Sequence, residues 1–244
     1  LLESRLGIKP GDPISISRLD EAVNWTNTNP FRRVQVLLNQ DAQAQGKTDL
    51  IVGVEERVPL RVAFAFDDSG NALIGEDHYT TIAQYGNLFG LDHQITYQFV
   101  TTDHSHIYQA HALDYRIPLK WRHFLQFNAL LSRARPTFNY GLFAQDARNI
   151  AGSVRYTVPV KGGNNPIEVY GLLDFKQSNN NLEYGDFQVL SAPTDVYHVG
   201  TGISIVRRKD GGAWMLGVNL MVSPGNVNSR NTTEALATGR LGAK

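Results

Sequence analysis

The chain has 244 residues, with 23 Lys plus Arg balanced by 23 Asp plus Glu, and no cysteine. A formal net charge of zero excludes the broad basic field of a nucleic-acid binder, and the lack of thiols excludes disulfide frameworks, thiolate catalysis and zinc–thiolate sites. No apolar run reaches the roughly 18 residues of a membrane helix, but barrel strands need only about 9–11 residues with alternate ones apolar, so a membrane barrel is not excluded.

The length fits one large β domain or two smaller units. No signal pattern precedes Leu1, so the sequence reads as starting inside a longer protein or after a removed leader. The first segment, SISRLDEAVNWTNTNP, places Leu19, Val23 and Trp25 on a helical face, with Ser17 as N-cap and Asn29-Pro30 as the stop. FRRVQVLL and TDLIVGVEER then alternate as two strands joined by NQDAQAQGK. Helix, strand, strand predicts a small α+β module over residues 1–57. In it Val34, Val36 and Leu38 are expected to pack inward.

From Val58 the helical period disappears. About nine strands are predicted, at Leu60–Phe66, Asp77–Tyr85, Leu91–Thr101, Ile107–Ile117, Phe124–Arg133, Gly152–Val158, Ile167–Lys176, Val196–Val206 and Ala213–Val222. Their faces segregate. Leu91, Ile95, Tyr97 and Phe99 oppose Asp92, Gln94, Thr96 and Gln98; Val154, Tyr156 and Val158 oppose Ser153, Arg155 and Thr157. Between the strands, tight connectors (NLFGLD, PLKWRH, PVKGGNNP, RRKDGG) alternate with long ones such as ARPTFNYGLFAQDARN and QSNNNLEYGDFQVLSAPTD. In an antiparallel meander that alternation gives one trimmed end and one elaborated end, the asymmetry of an outer-membrane barrel. Ten residues at about 3.3 Å each, tilted about 40°, rise about 25 Å, the height of a barrel's apolar band. Tyr79, Tyr85, Phe99, Tyr108, Tyr115, Tyr156, Phe175 and Tyr197 recur toward strand ends, where interfacial girdles sit. A soluble sandwich would also alternate, but its loops need not sort by parity, and no repeat of about 40–50 residues marks a propeller.

The expected fold is therefore mainly β: part of an antiparallel transmembrane β-barrel over residues 58–244, preceded by the small α+β module. Gln94, Thr96, Gln98, Asp114, Arg116, Arg155 and Lys176 are the lumen-facing candidates. No catalytic constellation, cofactor site or metal site is read from the sequence. His104-Ser105-His106 lacks further ligands, DDSGNALIGEDH has Ala72 and His78 where a calcium loop needs Gly and Glu, and KGGNNP lacks the Lys-Ser/Thr of a phosphate cradle. Asn231-Thr232-Thr233 is a sequon.

At TDLIVGVEERVPLRVAFAFDDSGNALIGED, followed by YGNLFGLDHQITYQF and YRIPLKWRH, the chain resembles a two-partner secretion transporter. This is the haemolysin-activator and filamentous-haemagglutinin-secretor family of Gram-negative bacteria. Gly46, Thr48, Asp49 and Leu50 match the strand that ends its second POTRA domain. Asp67, Asp68, Ser69 and Gly70 match the first barrel hairpin. Asn87 and Gly90 match a turn of the Asn-x-x-Gly-x-x-Asp type, with Asp92 one place early. The resemblance is good from about Gly11 to Pro136 and thinner beyond.

The resemblance implies two periplasmic POTRA domains and a sixteen-stranded barrel, a non-enzymatic pore that exports one large unfolded exoprotein without ATP. The POTRA domains would capture that exoprotein's amino-terminal secretion domain. No residue run matches the family's Val-Arg-Gly-Tyr/Phe tetrad, so the chain is expected to be an internal piece: the C-terminal part of a POTRA domain plus the first half of the barrel. Capture would use the edge strand at Phe31, Arg33, Gln35 and Leu38 by β-augmentation. The expected setting is a monomer in outer-membrane lipid with its N-terminal module in the periplasm. The alternatives are a barrel-assembly factor of the same superfamily, a diffusion porin, and a soluble β-rich enzyme or adhesin.

Overall fold

A computed structural model describes residues 8–9, 11–40, 48–138, 142–160, 166–184, 187–209 and 212–239. Gly46 and residues 161–165 of PVKGGNNP lie outside them. Helix α1 spans Ile16–Thr26 and starts at Ser15, whose extended backbone has the N-cap conformation, so the predicted cap Ser17 lies inside the helix. Leu19 and Ala22 close a small core with Ile8, Ile14, Val23, Val36, Leu50 and Val52. Opposite α1 lies a two-stranded antiparallel sheet, β1 (Arg32–Gln40) and β2 (Thr48–Glu56), in register Val34↔Val54 and Leu38↔Leu50. Val34 and Val36 pack as expected. Leu38, at the far end of β1, is exposed instead, and Trp25 turns away from this core altogether.

The rest is one antiparallel sheet. Its strands are β3 (Leu60–Asp67), β4 (His78–Leu88), β5 (His93–Thr102), β6 (Tyr108–Pro118), β7 (Phe124–Ala134), β8 (Thr137–Phe138), β9 (Phe143–Val160), β10 (Ile167–Tyr184), β11 (Phe187–Leu190), β12 (Pro193–Lys209) and β13 (Gly212–Val222). Nine of them form the path β13-β12-β10-β9-β7-β6-β5-β4-β3; β8 and β11 flank β9 and β10. These nine are the predicted strands.

Cross-strand register shows what organises the sheet. One rung reads Leu60, Tyr85, Ile95, Tyr115, Phe127, Val154, Leu173, Val199, Val222, one residue from each strand and every one apolar or aromatic. The next rung, on the other face, reads Arg61, Gln84, Thr96, Asp114, Asn128, Ser153, Asp174, His198, all polar. The two faces also differ in crowding. Gly86, Gln94, Thr102, Ala110, Phe124 and Thr157 are buried and all lie on the polar face. Val62, Phe64, Tyr97, Leu113, Phe127 and Leu173 are exposed and all lie on the apolar one. Gly86, Gln94 and Phe124 are covered in part by residues 25–31. Away from them Thr96, Ala112, Asn128 and Ser153 are still half-buried while Tyr97, Leu113, Phe127 and Val154 on the other face are exposed, so the polar face is concave. Polar side chains line the inside and oily ones the outside.

The rungs also give the tilt. Leu60 begins β3, yet its rung ends at Val222, ten residues beyond Gly212, the first residue of β13. Ten residues of stagger at about 3.3 Å over eight interstrand steps of about 4.8 Å correspond to a tilt of about 40°. That lies within the range of closed barrels and well outside the alignment of stacked sandwich sheets.

Two predicted loops are largely strand. Ladder pairing of β9 with β10 continues from Ala147↔Asn180 to Phe143↔Tyr184, so both run 18 residues and form an arm at the elaborated end. QSNNNLEY has no period of apolar residues because the arm rises above the band where lipid would demand one. The tail after β13 carries a second helix, α2 (Thr233–Gly239), also absent from the sequence reading. Asn231, the sequon residue, is buried there, its Nδ2 donating to Asp195 O at 2.8 Å.

Among the described residues β3 and β13 bound the sheet and do not pair with each other. Each unpaired edge group placed in hydrocarbon costs several kcal/mol. The 244-residue chain refolded alone in detergent is therefore expected to show no heat-resistant folded form on a gel; a stable heat-modifiable band would contradict this.

Candidate functional site: the concave wall and its docking seam

The seven lumen candidates share the concave face. Gln94, Arg116 and Arg155 lie in one rung, Thr96 and Asp114 in the next, Gln98 and Lys176 in the one beyond. Their neighbours pair with them. Gln126 donates to Asp114 at 2.5 Å, Asn128 to Ser153 at 3.1 Å, and Asp174 holds both His198 at 3.0 Å and Lys176 at 3.4 Å. Arg155 lies 3.6 Å above the Tyr170 ring and donates to Thr157 Oγ1 at 3.2 Å. Such a wall offers mainly polar groups, many bonded to one another, with Leu130, Met215 and Met221 as exposed large apolar side chains.

Two of the seven do different work. Gln94 is buried and donates through Nε2 to Thr28 O at 3.4 Å, just beyond α1. Arg116 lies 3.7 Å over the ring of Phe124, whose other contact is Trp25 of α1, ring centroids 4.7 Å apart. A guanidinium on a desolvated ring contributes about 2 kcal/mol. This stack explains why Trp25 leaves the core of the N-terminal unit: it is committed to the concave face of β7. Arg122, in the β6–β7 turn, adds an ion pair to Glu21 at 3.2 Å.

The firmest contact is at the β4–β5 turn. Phe89, Gly90 and Asp92 all take positive φ there (60°, 68° and 61°), and Asn87 Oδ1 accepts the Asp92 N–H at 3.1 Å. This conformation aims the Asp92 carboxylate at Arg32, the first residue of β1, and both side chains are nearly dry, at 6% and 9% exposed. Asn29 Nδ2 donates to Gly86 O at 2.8 Å and to Asp92 Oδ1 at 3.2 Å. Phe31 lies against Gly86, where a Cβ would overlap the ring. Asp92, one place early for the turn pattern, is thus the residue that fastens the N-terminal unit to the sheet.

The capture candidates separate accordingly. Phe31 precedes β1 and belongs to this seam, not to the strand edge. Arg33 and Gln35 lie on β1 on the face opposite Val34 and Val36, and Leu38 shares the Val34 face at the far end. Among the described residues β1 has a strand partner on one side only, β2. Sequence reading missed Asn29, Arg32 and Gly86, although the Asn87–Gly90–Asp92 turn was the available signal. At the elaborated end, His104 pairs with Asp103 at 2.8 Å, and no group of three or more potential metal ligands occurs among the described residues.

Removing one partner of a buried ion pair costs about 3–5 kcal/mol. Asp92→Ala should therefore loosen the seam and accelerate tryptic cleavage after Arg57, while Glu21→Gln, at a half-exposed pair, should change it little. Equal cleavage rates for Asp92→Ala and the parent would contradict the clamp.

The model of the family described as haemolysin secretion/activation protein ShlB/FhaC/HecB matches residues 46–223. No curated protein matches the chain. Among solved structures, CdiB from Escherichia coli superposes with a TM-score of 0.75 at 14% identity, over 91% of this chain and 42% of that one. CdiB from Acinetobacter baumannii gives 0.72 at 18% identity, over 92% and 43%. BamA from Haemophilus ducreyi lacking POTRA domains 1–3 gives 0.54 at 14% identity, over 91% and 45%. The chain thus spans less than half the length of these structures. With the family model covering most of its residues, the chain belongs to the haemolysin secretion/activation family ShlB/FhaC/HecB, outer-membrane β-barrel transporters of the two-partner secretion type.

Proposed function

We propose that this chain is the membrane-proximal half of an export pore, residues 1–57 forming the C-terminal part of a periplasmic POTRA domain and residues 58–244 the first half of the barrel. Its cargo is a large unfolded exoprotein of the haemolysin or adhesin type, and the working unit is a monomer in outer-membrane lipid. One observation carries the reading. The seam built on Arg32–Asp92 and Trp25–Phe124 holds β1 at the short-turn mouth of the concave polar wall. An extended segment added to the open side of β1 by backbone hydrogen bonds would therefore start at the pore entrance. The wall would then offer it hydration without large apolar patches, as passage of an unfolded chain requires.

Arg33 and Gln35, whose backbone groups face β2, would contribute side-chain contacts at the rim in that capture. The open-edge backbone groups are those of Val36 and Leu38, with Leu38, exposed and uncovered by the helix, as the apolar anchor. Phe31 supports the site from the seam. Of the lumen candidates, Thr96, Gln98, Asp114, Arg155 and Lys176 would line the passage, and Gln94 and Arg116 would hold the entrance unit in place. The likeness to BamA supports a barrel-assembly role only at the level of fold, and with a lower TM-score than either CdiB structure.

Val34 turns its N–H and C=O to Asn27 on the open side, so the alternate residue Gln35 turns its N–H toward Gly53 of β2. A proline at Gln35 therefore breaks one ladder bond and distorts the edge that β1 presents. In the complete transporter, Gln35→Pro should abolish exoprotein secretion while leaving heat-modifiable barrel folding unchanged. Normal secretion by this variant would refute capture at β1.

A further inference from the structure

On the outer, apolar face a belt of polar aromatics marks the short-turn end. Trp121 Nε1 donates to Tyr156 Oη at 2.9 Å, and His123 Nδ1 meets the same hydroxyl at 2.5 Å. Tyr156 lies on β9, and Asp146 lies on the same face ten residues further along that strand. At about 3.3 Å per residue and a tilt of about 40°, that separation is about 25 Å, the height of a barrel's apolar band. Asp146 therefore marks the opposite interface.

Three arginines converge on it. Arg133 grips Asp146 with two bonds, Nε to Oδ1 at 3.0 Å and Nη2 to Oδ2 at 2.8 Å. Arg148 reaches Oδ2 at 3.2 Å and Arg135 reaches Oδ1 at 3.6 Å. Asp146 is 16% exposed, whereas the arginines are 38%, 57% and 50% exposed in that order. The carboxylate is thus enclosed and the cations face outward. One negative charge offsets one of three positive ones. Glu183, the next carboxylate on this face, is paired across the ladder with Ala144, one rung further from the membrane.

The rest of the cluster's surroundings suit a lipid with a polar headgroup. Just toward the band lie Leu131 and Ile150, both exposed and apolar. Asn179 and Asn181 are the ladder partners of Arg148 and Asp146, and each has a buried Oδ1 without a hydrogen-bond partner. An orphaned acceptor is met by a donor, such as a hydroxyl of an incoming headgroup. Each guanidinium has five donors in a planar fork, and the Asp146 contacts use only some of them.

We propose that Arg133, Arg135 and Arg148, set by Asp146, form a binding site for the phosphate groups of an outer-leaflet glycolipid headgroup. The acyl chains of that lipid would lie on Leu131 and Ile150. Phosphate matches the guanidinium fork bidentately, and a headgroup anion at this height meets the unneutralised charge without crossing hydrocarbon. The proposal rests on the reading that the elaborated end of the barrel faces outward.

The test uses the complete transporter and native mass spectrometry in detergent, with bis-phosphorylated lipid A, its dephosphorylated form and inorganic phosphate as probes. Lipid A should remain bound to the parent protein, and occupancy should fall by at least about tenfold in Arg133→Gln/Arg135→Gln/Arg148→Gln. Arg135→Gln alone, which removes only the longest contact, should lower occupancy part of the way in a protein whose folding is undisturbed. Dephosphorylated lipid should bind the parent no better than lipid A binds the triple variant, and millimolar inorganic phosphate should not displace lipid A. Unchanged occupancy in the triple variant and in Arg135→Gln, equal binding of the dephosphorylated lipid, or displacement by inorganic phosphate would each overturn the assignment. Orientation is checked separately. The chain has no cysteine, so Ser105→Cys in the β5–β6 loop should react with an impermeant maleimide on intact cells. No labelling would overturn the orientation and the lipid site together; labelling with unchanged lipid occupancy would overturn the lipid site alone.

Discussion

Hydrocarbon cannot hydrogen-bond to a peptide group, and every other feature of this structure is arranged around that fact. Strand-to-strand pairing satisfies the backbone, which leaves the side chains to decide which face meets lipid. The rung from Leu60 to Val222 and its neighbour from Arg61 to His198 are the result, one wholly oily and the other wholly polar. The same constraint explains where the alternation stops. Beyond Arg133 and Arg148 the outer face of the β9–β10 arm also turns polar, with Asp146, Asn179, Asn181 and Glu183, because water there accepts what lipid would reject.

The N-terminal unit is joined to this wall by a different kind of contact. Its own core is small, Leu19 and Ala22 with a few partners, and by itself supplies little stability. It does not spend Trp25, its largest ring, on that core. Trp25 goes to Phe124, while Arg32 and Asp92 form a nearly dry ion pair at the neighbouring turn. A buried ion pair is weak evidence for net stability, since desolvation offsets much of the attraction. It does impose one geometry, however, and here that geometry sets the direction of β1 relative to the concave wall. Under the proposed function, in which cargo would pass from the β1 edge into the lumen, a fixed relative direction matters more than a few kcal/mol.

The two ends of the wall therefore carry opposite specialisations. The short-turn end is built for docking: its turns use strained backbone at Phe89 and Asp92 to present a carboxylate and its rim carries Trp121 and His123. The elaborated end is built for water and its boundary with lipid, with the arm, the folded-back tail around Asn231 and the arginine cluster at Asp146. The arginine cluster at the elaborated end is exposed, whereas Arg32 at the seam is nearly dry.

The nine strands, the sorting of connectors by length and the sharing of one face by Gln94, Thr96, Gln98, Asp114, Arg116, Arg155 and Lys176 were all legible in the amino-acid sequence. Each is a consequence of period-two alternation, a local property that lipid contact imposes residue by residue. What local pattern could not reveal was pairing between distant residues. Only the tertiary structure took Phe31 off the edge strand and set it against Gly86, brought Gln94 and Arg116 to the seam with the N-terminal unit, turned Trp25 outward and paired Asp92 with Arg32 across 60 positions. The polar arm of β9 and β10 was hidden for the same reason: its strands are held by backbone bonds between partners, and nothing in either strand's own side chains announces them.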